Sequence, residues 1–364
     1  RNGDAALLKY TAQFDRVGIN RAGLVVSPRE IARAYRTVSR QNPDLIPAIK
    51  TTIQCVRGYH RGELGQMKRG LKGWEAVVSG RALAGAGKLK VGQIRIPLDS
   101  VGVYVPGGNA VLLTSAIMAL APAKVAGVPL TIVASPPSRN GDIDPRIIVA
   151  ADLAGADKII RAGGAQAIAA MAYGTESVPR VAKIVGPGNV FVAIAKSLVA
   201  SAGVCGIDFF AGPSEVLVIA DDSGVVEYAA RDMLSQSEHD PRASAVLVTT
   251  SMRVAEGVRN RIVAEFSGNK AGAKPSMAER ALSGYGAILV ARSLDEAASF
   301  ANGFAPEHLE IMTRNPRALL KNIRNEGGIF LGPWSPVAVG DYVCPNHILP
   351  TGGAARFTSG ISID

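Results

Sequence analysis

The sequence has few cysteine, histidine and aromatic residues. Its 364 residues include 3 cysteines and 4 histidines, and only 5% are aromatic. The cysteines, Cys55, Cys205 and Cys344, are odd in number and form no Cys-x-x-Cys pair. This argues against a disulfide framework and a structural zinc knuckle, and it favours a reducing, cytoplasmic environment.

The sequence also has no uninterrupted run long enough for a membrane span. The longest uncharged stretch covers residues 101–123. Proline and glycine interrupt it at Pro106, Gly107, Gly108 and Pro122, so we expect no spanning helix. No signal peptide is visible, and we predict no membrane partner.

Positive charge is in excess, with a formal net charge of +10. The densest basic run lies between Arg57 and Lys72. No nucleic-acid-binding motif accompanies this run, so we predict no nucleic-acid partner. An anionic cofactor or a solvated surface would also account for the charge.

The apolar pattern predicts an α/β protein. Residues 1–75 are mostly helical in pattern, and Ser27-Pro28 with Glu30 is typical of a helix start. Short strands are expected in residues 76–100. Two series of alternating strands and helices follow, over residues 101–214 and 215–331, and such alternation predicts parallel sheets.

We therefore predict two incomplete Rossmann-like domains, each doubly wound around a mainly parallel sheet. One is expected to span residues 104–214. The other would be discontinuous, with residues 1–103 packed against residues 215–364.

Three glycine-rich turns lie between a predicted strand and a predicted helix, at residues 105–109, 162–166 and 186–189. Such turns let backbone N–H groups approach a phosphate at a helix N-terminus. Together they favour a dinucleotide or phosphate ligand, although each alone is better explained as an ordinary turn between a strand and a helix. None matches G-x-G-x-x-G, and no acidic residue for a ribose hydroxyl is evident.

Polar side chains cluster in the last third of the chain. Gln236 and His239 are three apart, so they share one face of a predicted helix. Glu307 precedes His308, and Asp341 lies near His347. Nitrogen and oxygen donors suit zinc, and an adjacent acid and imidazole suit acid–base catalysis. Each histidine alone could instead be a hydrogen-bonded core residue.

Six motifs in series resemble the histidinol dehydrogenase family. They are Tyr104-Val-Pro-Gly-Gly108, Gly186-Pro-Gly-Asn189, Ala211-Gly-Pro-Ser-Glu215, Gln236-Ser-Glu-His-Asp-Pro241, Pro306-Glu-His-Leu-Glu310, and Gly340-Asp-Tyr342 with Asn346-His-Ile-Leu-Pro350. The resemblance implies a homodimer that oxidises L-histidinol to L-histidine, by way of histidinaldehyde, with zinc and NAD.

The resemblance also implies roles for individual residues. Gln236, His239 and Asp341 would bind one zinc ion per subunit, and Glu307 and His308 would be the acid–base pair. These five would surround the substrate together with Ser214, which on its own could be a simple turn hydroxyl. The implied NAD contacts are Tyr104, Gln166 and Asn189.

The family has a further C-terminal segment, which supplies a fourth zinc ligand and a substrate-binding glutamate from the partner subunit. This sequence stops at Asp364, before that segment. An inactive or binding-only homologue is therefore one alternative to the dehydrogenase. A zinc hydrolase with Glu307 as base is another, and it would leave the glycine turns without a role. Cys344 is expected to be a bystander.

Overall fold

The chain forms two compact units in a computed structural model that describes residues 2–71, 74–78, 89–107, 112–209, 212–267, 274–343 and 347–363. One unit comprises Arg1–Gly186, Val199–Gly206 and Ser362–Asp364, and the other comprises Pro187–Leu198 and Ile207–Ile361. None of the helices within the described ranges combines the length and the apolar character that a membrane crossing requires.

The first unit begins with helices. They are α1 (Gly3–Tyr10), α2 (Pro28–Gln41) and α3 (Leu45–Leu71), and a two-stranded antiparallel sheet follows, made of β1 (Trp74–Val78) and β2 (Leu89–Gln93). Helix α2 starts as predicted: the Ser27 hydroxyl accepts from the Glu30 N–H, and the Glu30 carboxylate accepts from the Ser27 N–H. Residues 94–97, whose alternation predicted a short strand, form none.

A five-stranded sheet forms the centre of the first unit. Its strands are β3 (Ser100–Tyr104), β4 (Leu130–Ser135), β5 (Lys158–Arg161), β6 (Lys183–Val185) and β7 (Gly206–Ile207). The helices between them are α4 (Leu113–Ala126), α5 (Pro145–Ala154), α6 (Gly164–Tyr173) and α7 (Val190–Ser201). The strand order is β5-β4-β3-β6-β7. Strands β4 and β5 are added on one side of β3, and β6, which is parallel to β3, is added on the other side, as in half of a Rossmann fold.

The N-terminal helices pack on this first sheet, which differs from the predicted domain division. The Tyr35 hydroxyl on α2 donates to Asp152 on α5 at 2.7 Å. The buried Arg161, at the end of β5, donates to the Glu30 carboxylate at 2.5 Å and to the Gly23 carbonyl at 2.7 Å. Residues 1–103 were expected to join residues 215–364. Instead, Tyr35 and Glu30 of α2 form hydrogen bonds with side chains of α5 and β5.

The second unit repeats the same strand order. Its elements are β8 (Glu215–Ala220), α8 (Val226–Ser237), β9 (Ser244–Thr249), α9 (Met252–Phe266), α10 (Met277–Tyr285), β10 (Gly286–Val290), α11 (Leu294–Phe304), β11 (His308–Met312), α12 (Pro316–Leu320) and β12 (Gly328–Leu331). The order is β10-β9-β8-β11-β12, and every neighbouring pair is parallel. The predicted fold class, two Rossmann-like α/β units, is confirmed.

Each face of the second sheet carries its own apolar core, because alternate residues of a strand point to opposite faces. Val216 and Val218 of β8 pack with α8 and α9, whereas Leu217 and Ile219 pack with α11. Helix α10 was not predicted, although the Ser276 hydroxyl caps it by accepting from the Glu279 N–H, a spacing typical of helix starts.

We predict that the N-terminal helices depend on Arg161. Replacing Arg161 with Met leaves the half-buried Glu30 carboxylate without its ion-pair partner, which should lower the free energy of unfolding by about 3 kcal/mol. Arg292→Met is the control, because Arg292 pairs with Glu296 on the surface with 90% of its side chain exposed. Urea unfolding followed by circular dichroism measures both. Equal stability of the two variants would contradict the prediction.

Candidate active site

The candidate catalytic residues meet at the N-terminal edge of the second sheet. Glu307 and His308 lie at the start of β11, and Ser214 and Glu215 lie at the start of β8. Helix α8 connects the parallel strands β8 and β9, so it runs back across the sheet and ends at this same edge. Ligands of open α/β sheets usually bind at the opposite, carboxyl edge, so the second unit departs from that rule.

Glu215 and Glu307 exchange hydrogen bonds between neighbouring strands. The Glu215 N–H donates to the Glu307 carboxyl oxygen Oε2 at 3.0 Å, and the Glu307 N–H donates to Glu215 Oε2 at 3.3 Å. The strand register causes this exchange, because His308 pairs with Val216 and the two glutamates precede them. Glu215 lies within one of the six motifs, but the sequence did not identify it as a site residue.

Glu307 is a buried carboxyl group, with 7% of its surface exposed. Burial raises the pKa of Glu307 from 4.5 to about 8, and the negative charges of Glu215 and Asp341 add to the increase. Hydrogen bonds from the Glu215 N–H and the Ser214 side chain act in the opposite direction. A carboxyl group that titrates near neutral pH can both release and accept a proton during a reaction.

His308 is held in one tautomer. Its Nδ1 lies 2.8 Å from the Glu215 carbonyl oxygen, which can only accept, so Nδ1 carries the proton. The lone pair is then on Nε2, which lies 2.7 Å from Nε2 of His347. His347 must donate in this contact. Burial lowers the pKa of His308 well below 6.5, and nearby His347 and His239 lower it further, so the ring is neutral.

The three predicted metal ligands lie at the same edge. His239 Nδ1 contacts the Ser235 carbonyl oxygen at 3.1 Å and therefore carries the proton, which leaves the Nε2 lone pair for a ligand. Gln236 is buried at the end of α8. Asp341 lies in a 3₁₀ turn, Val337–Asp341. Its charge raises the pKa of His347, whereas burial, the largest influence, and His239 lower that pKa.

This donor set fits zinc in chemistry, with one imidazole nitrogen, one amide oxygen and one carboxylate. Within the described ranges, no three His, Cys, Asp or Glu side chains lie close enough together to hold a metal ion. The predicted set contains only two residues of those types, since its third member is a glutamine. Cys344, expected to be a bystander, lies outside the described residues.

A second buried carboxyl pair links α8 to β11. Glu310 on β11 is fully buried, and Asp232 on α8 is its neighbour. Burial and the charge of Asp232 raise the pKa of Glu310 to about 10, so Glu310 keeps its proton at neutral pH. Gln236 is one helical turn beyond Asp232, and His308 is two residues before Glu310. The pair therefore lies between the two elements that carry a candidate ligand and the candidate base.

Two of the three predicted NAD contacts lie at the carboxyl edge of the first sheet. The Gly164 N–H, in the first turn of α6, donates to the Tyr104 hydroxyl at 3.1 Å. The Gln166 amide donates to Asp15 at 3.2 Å. Neither the sequence pattern nor the family resemblance had identified Asp15.

Backbone segments approach one another closely at this edge. Gly186 has a φ of +112°, and a Cβ there would collide with the Tyr104 carbonyl oxygen, so the position requires glycine. A Cβ on Gly107 would come within 2.5 Å of Pro136. The turns after β3, β4 and β6 thus provide the close backbone approach that a dinucleotide site needs. Gly108 and Asn109 lie outside the described residues.

The third predicted contact, Asn189, caps a helix. Its side-chain oxygen accepts from the Phe191 N–H at 3.1 Å and from the Val192 N–H at 3.2 Å, at the start of α7. Its amide nitrogen can still donate to a ligand.

The sequence matches the family model for histidinol dehydrogenase over residues 1–364. It is 45% identical to the histidinol dehydrogenase of Clostridium acetobutylicum over 364 residues, which is 100% of this chain and 79% of that protein. It is also 45% identical to that of Geobacter sulfurreducens over 364 residues, covering 100% of this chain and 80% of the relative. The crystal structure of histidinol dehydrogenase from Elizabethkingia anophelis aligns with a TM-score of 0.87 and 34% identity, over 99% of this chain and 78% of that one.

Glu307 should make the stability of the zinc-free protein depend on pH. The native protein keeps a proton on Glu307 that the unfolded chain releases, so raising the pH from 4.5 to about 8 should lower the free energy of unfolding. Glu307→Gln removes this effect. As the pH is raised through this range, the free energy of unfolding of the variant minus that of the parent should increase by up to about 1.4 kcal/mol per pH unit.

Urea unfolding at several pH values measures the difference. Glu296→Gln is the control, because hydrogen bonds from Arg292 lower the pKa of the half-exposed Glu296, the opposite direction to the shift of Glu307. Parallel stability curves for the parent and Glu307→Gln would show that Glu307 is not a buried neutral acid.

Proposed function

Because this chain belongs to the histidinol dehydrogenase family, which catalyses the NAD-linked oxidation of histidinol in histidine biosynthesis, we propose that His308 and Glu307 perform the proton transfers of that reaction. The observation that carries the proposal is the set of hydrogen bonds that fixes Glu307 and His308 where β8 and β11 begin. There, Glu215 accepts from His308 through its carbonyl oxygen and exchanges hydrogen bonds with Glu307.

His308 is the base for the first oxidation. Its lowered pKa keeps the Nε2 lone pair available at neutral pH, and the Glu215 carbonyl stabilises the ring once it becomes positively charged. The substrate hydroxyl gives its proton to Nε2, and NAD, when bound, would supply the hydride acceptor that this oxidation to histidinaldehyde needs. His347 donates to Nε2 in the unliganded site, so the substrate hydroxyl takes the place of this contact.

Glu307 acts in the second oxidation. As the carboxylate it removes a proton from a water molecule, whose oxygen bonds to the aldehyde carbon. Glu307 then returns this proton to the former carbonyl oxygen, which gives the hydrated aldehyde. With bound NAD as the hydride acceptor, loss of a hydride from the carbon and of a proton from a hydroxyl of the hydrate would give the carboxylic acid, L-histidine. The two hydrides together make a four-electron oxidation. A pKa of about 8 leaves part of Glu307 ionised at neutral pH.

We assign zinc binding to Gln236, His239 and Asp341. When bound, zinc supplies a positive charge that orients the imidazole and amine of the substrate. The tautomer set by Ser235 directs the His239 lone pair to a ligand. Ser214, which bonds to Glu307, is placed to contact the substrate as well.

The NAD contacts in this proposal are Tyr104, Gln166 and Asn189. The closely approaching turns of the first sheet support a dinucleotide rather than a hydrolase without a cofactor, in which they would have no role. The paired acid and base argue against a binding-only homologue. We also propose a second copy of the chain as partner, by analogy with the family, and the cytoplasm as location because the odd cysteine count fits a reducing compartment.

The two half-reactions should respond differently to substitutions. Glu307→Gln should slow the conversion of histidinaldehyde to histidine by about a hundredfold or more, and should affect alcohol oxidation less. His308→Ala should slow both steps, because each needs a proton acceptor. Stopped-flow measurement of NADH formation from each substrate separates them. Glu238→Gln, an exposed glutamate beside His239, is the control. Equal losses in both steps for Glu307→Gln would refute its assigned role.

Zinc should be lost when a ligand is removed. A chelator should abolish NADH formation from L-histidinol, and added zinc should restore it. His239→Asn should contain little zinc by elemental analysis, whereas His347→Asn should keep the parent's zinc content, since His347 is assigned to the hydrogen bond with His308. Zinc loss in His347→Asn, or full activity in protein shown to be free of metal, would overturn the ligand set.

A further inference from the structure

The first sheet lacks an acidic residue where a dinucleotide-binding fold usually has one. In such folds, an aspartate or glutamate downstream of the first glycine-rich turn accepts a hydrogen bond from the ribose of NAD. The strand that follows this turn and its helix is β4, which ends at Ser135 and continues as Pro136-Pro137. No carboxylate follows β4 directly in the sequence.

Asp15 brings a carboxylate to this place from a distant segment. A Cβ on Gly163 would lie 2.5 Å from the Pro136 Cβ and 2.8 Å from Asp15 Oδ1, so the carboxylate is close to the end of β4. Asp15 ends a five-residue π-helical turn, Thr11–Asp15, and Arg16 continues the chain in the left-handed region with a φ of +57°. It is 148 residues from Gly163 in sequence.

The hydrogen bonds of Asp15 leave one oxygen available. Oδ2 accepts from the Gly163 N–H at 3.4 Å and from the Gln166 amide at 3.2 Å. No donor among the described residues bonds to Oδ1. A cavity of about 390 Å³ has Phe14 and Gln166 in its wall, but Asp15 does not line it. The observation that matters is therefore a half-buried carboxylate near the end of β4, with one oxygen that no described donor occupies.

We propose that Asp15 accepts hydrogen bonds from the adenosine ribose hydroxyls of NAD and thereby selects NAD over NADP. The inference rests on the proposed binding of NAD at the carboxyl edge of the first sheet. A ribose hydroxyl donates to Oδ1, whereas the 2′-phosphate of NADP has no proton to donate at neutral pH and is repelled by the carboxylate. Gln166 holds the carboxylate in place through Oδ2.

Asp15→Asn removes the charge and replaces the acceptor Oδ1 with an N–H donor, while the Asn side-chain oxygen can still accept from Gly163 and Gln166. Fluorescence titration with NADH and NADPH gives both dissociation constants without turnover. We expect NADH binding to weaken by about tenfold and NADPH binding to strengthen, so that the ratio of the two constants shifts by more than tenfold. Asp15→Ser is the second variant if Asp15→Asn does not fold.

Asp144→Asn is the matched control, since Asp144 caps α5 in the same unit and Asn also caps helices. It should leave the ratio unchanged. An unchanged ratio in Asp15→Asn, or an equal weakening of NADH and NADPH binding, would overturn the inference. Asp15 would then only stabilise the turn at Gly163 through its hydrogen bonds. Gln166→Ala separates this inference from the proposed function. If Gln166→Ala binds NADH like the parent while Asp15→Asn shifts the ratio of the two dissociation constants, the proposed contact between Gln166 and NAD is wrong and the inference about Asp15 stands.

Discussion

The exchange of hydrogen bonds between Glu215 and Glu307 is the interaction on which the candidate active site depends. The donors are two backbone N–H groups at the start of β8 and β11, and the carboxyl groups take the place of backbone acceptors. Each carboxyl group satisfies the backbone of the other strand and is itself fixed. The carbonyl oxygen of Glu215 then sets the tautomer of His308. One glutamate therefore controls the acid through its side chain and the base through its backbone.

The electrostatics of this edge follow from burial. Carboxyl groups removed from water keep their protons, and imidazoles removed from water stay neutral. Glu307 and His308 share one small volume without carrying two opposite full charges, which would be costly to bury. A bound cation and a substrate amine would change this balance, because positive charge favours the ionised form of a carboxyl group. The resting site is therefore nearly uncharged at His308 and only partly charged at Glu307.

Much of the fold could be predicted from the sequence, because strands buried on both faces alternate regularly with helices. Local patterns also located the start of α2 and the polar residues around Gln236 and Glu307. What could not be predicted depends on contacts between distant segments. Apolar periodicity does not indicate which sheet a helix covers, so the N-terminal helices were assigned to the wrong one. Glu215 has its role only through the register with β11, and Asp15 only through the path of the N-terminal segment.

The distance in sequence between the two glutamates has a consequence for folding. Glu215 and Glu307 are 92 residues apart, and β8 and β11 must be paired in the correct register before their hydrogen bonds can form. Contacts of such long range form slowly, because the intervening chain must first be closed into a loop. A partly folded chain with its helices and local hairpins in place would still have no acid–base pair. Recovery of catalytic turnover during refolding would therefore report the completion of the second sheet and not the appearance of secondary structure.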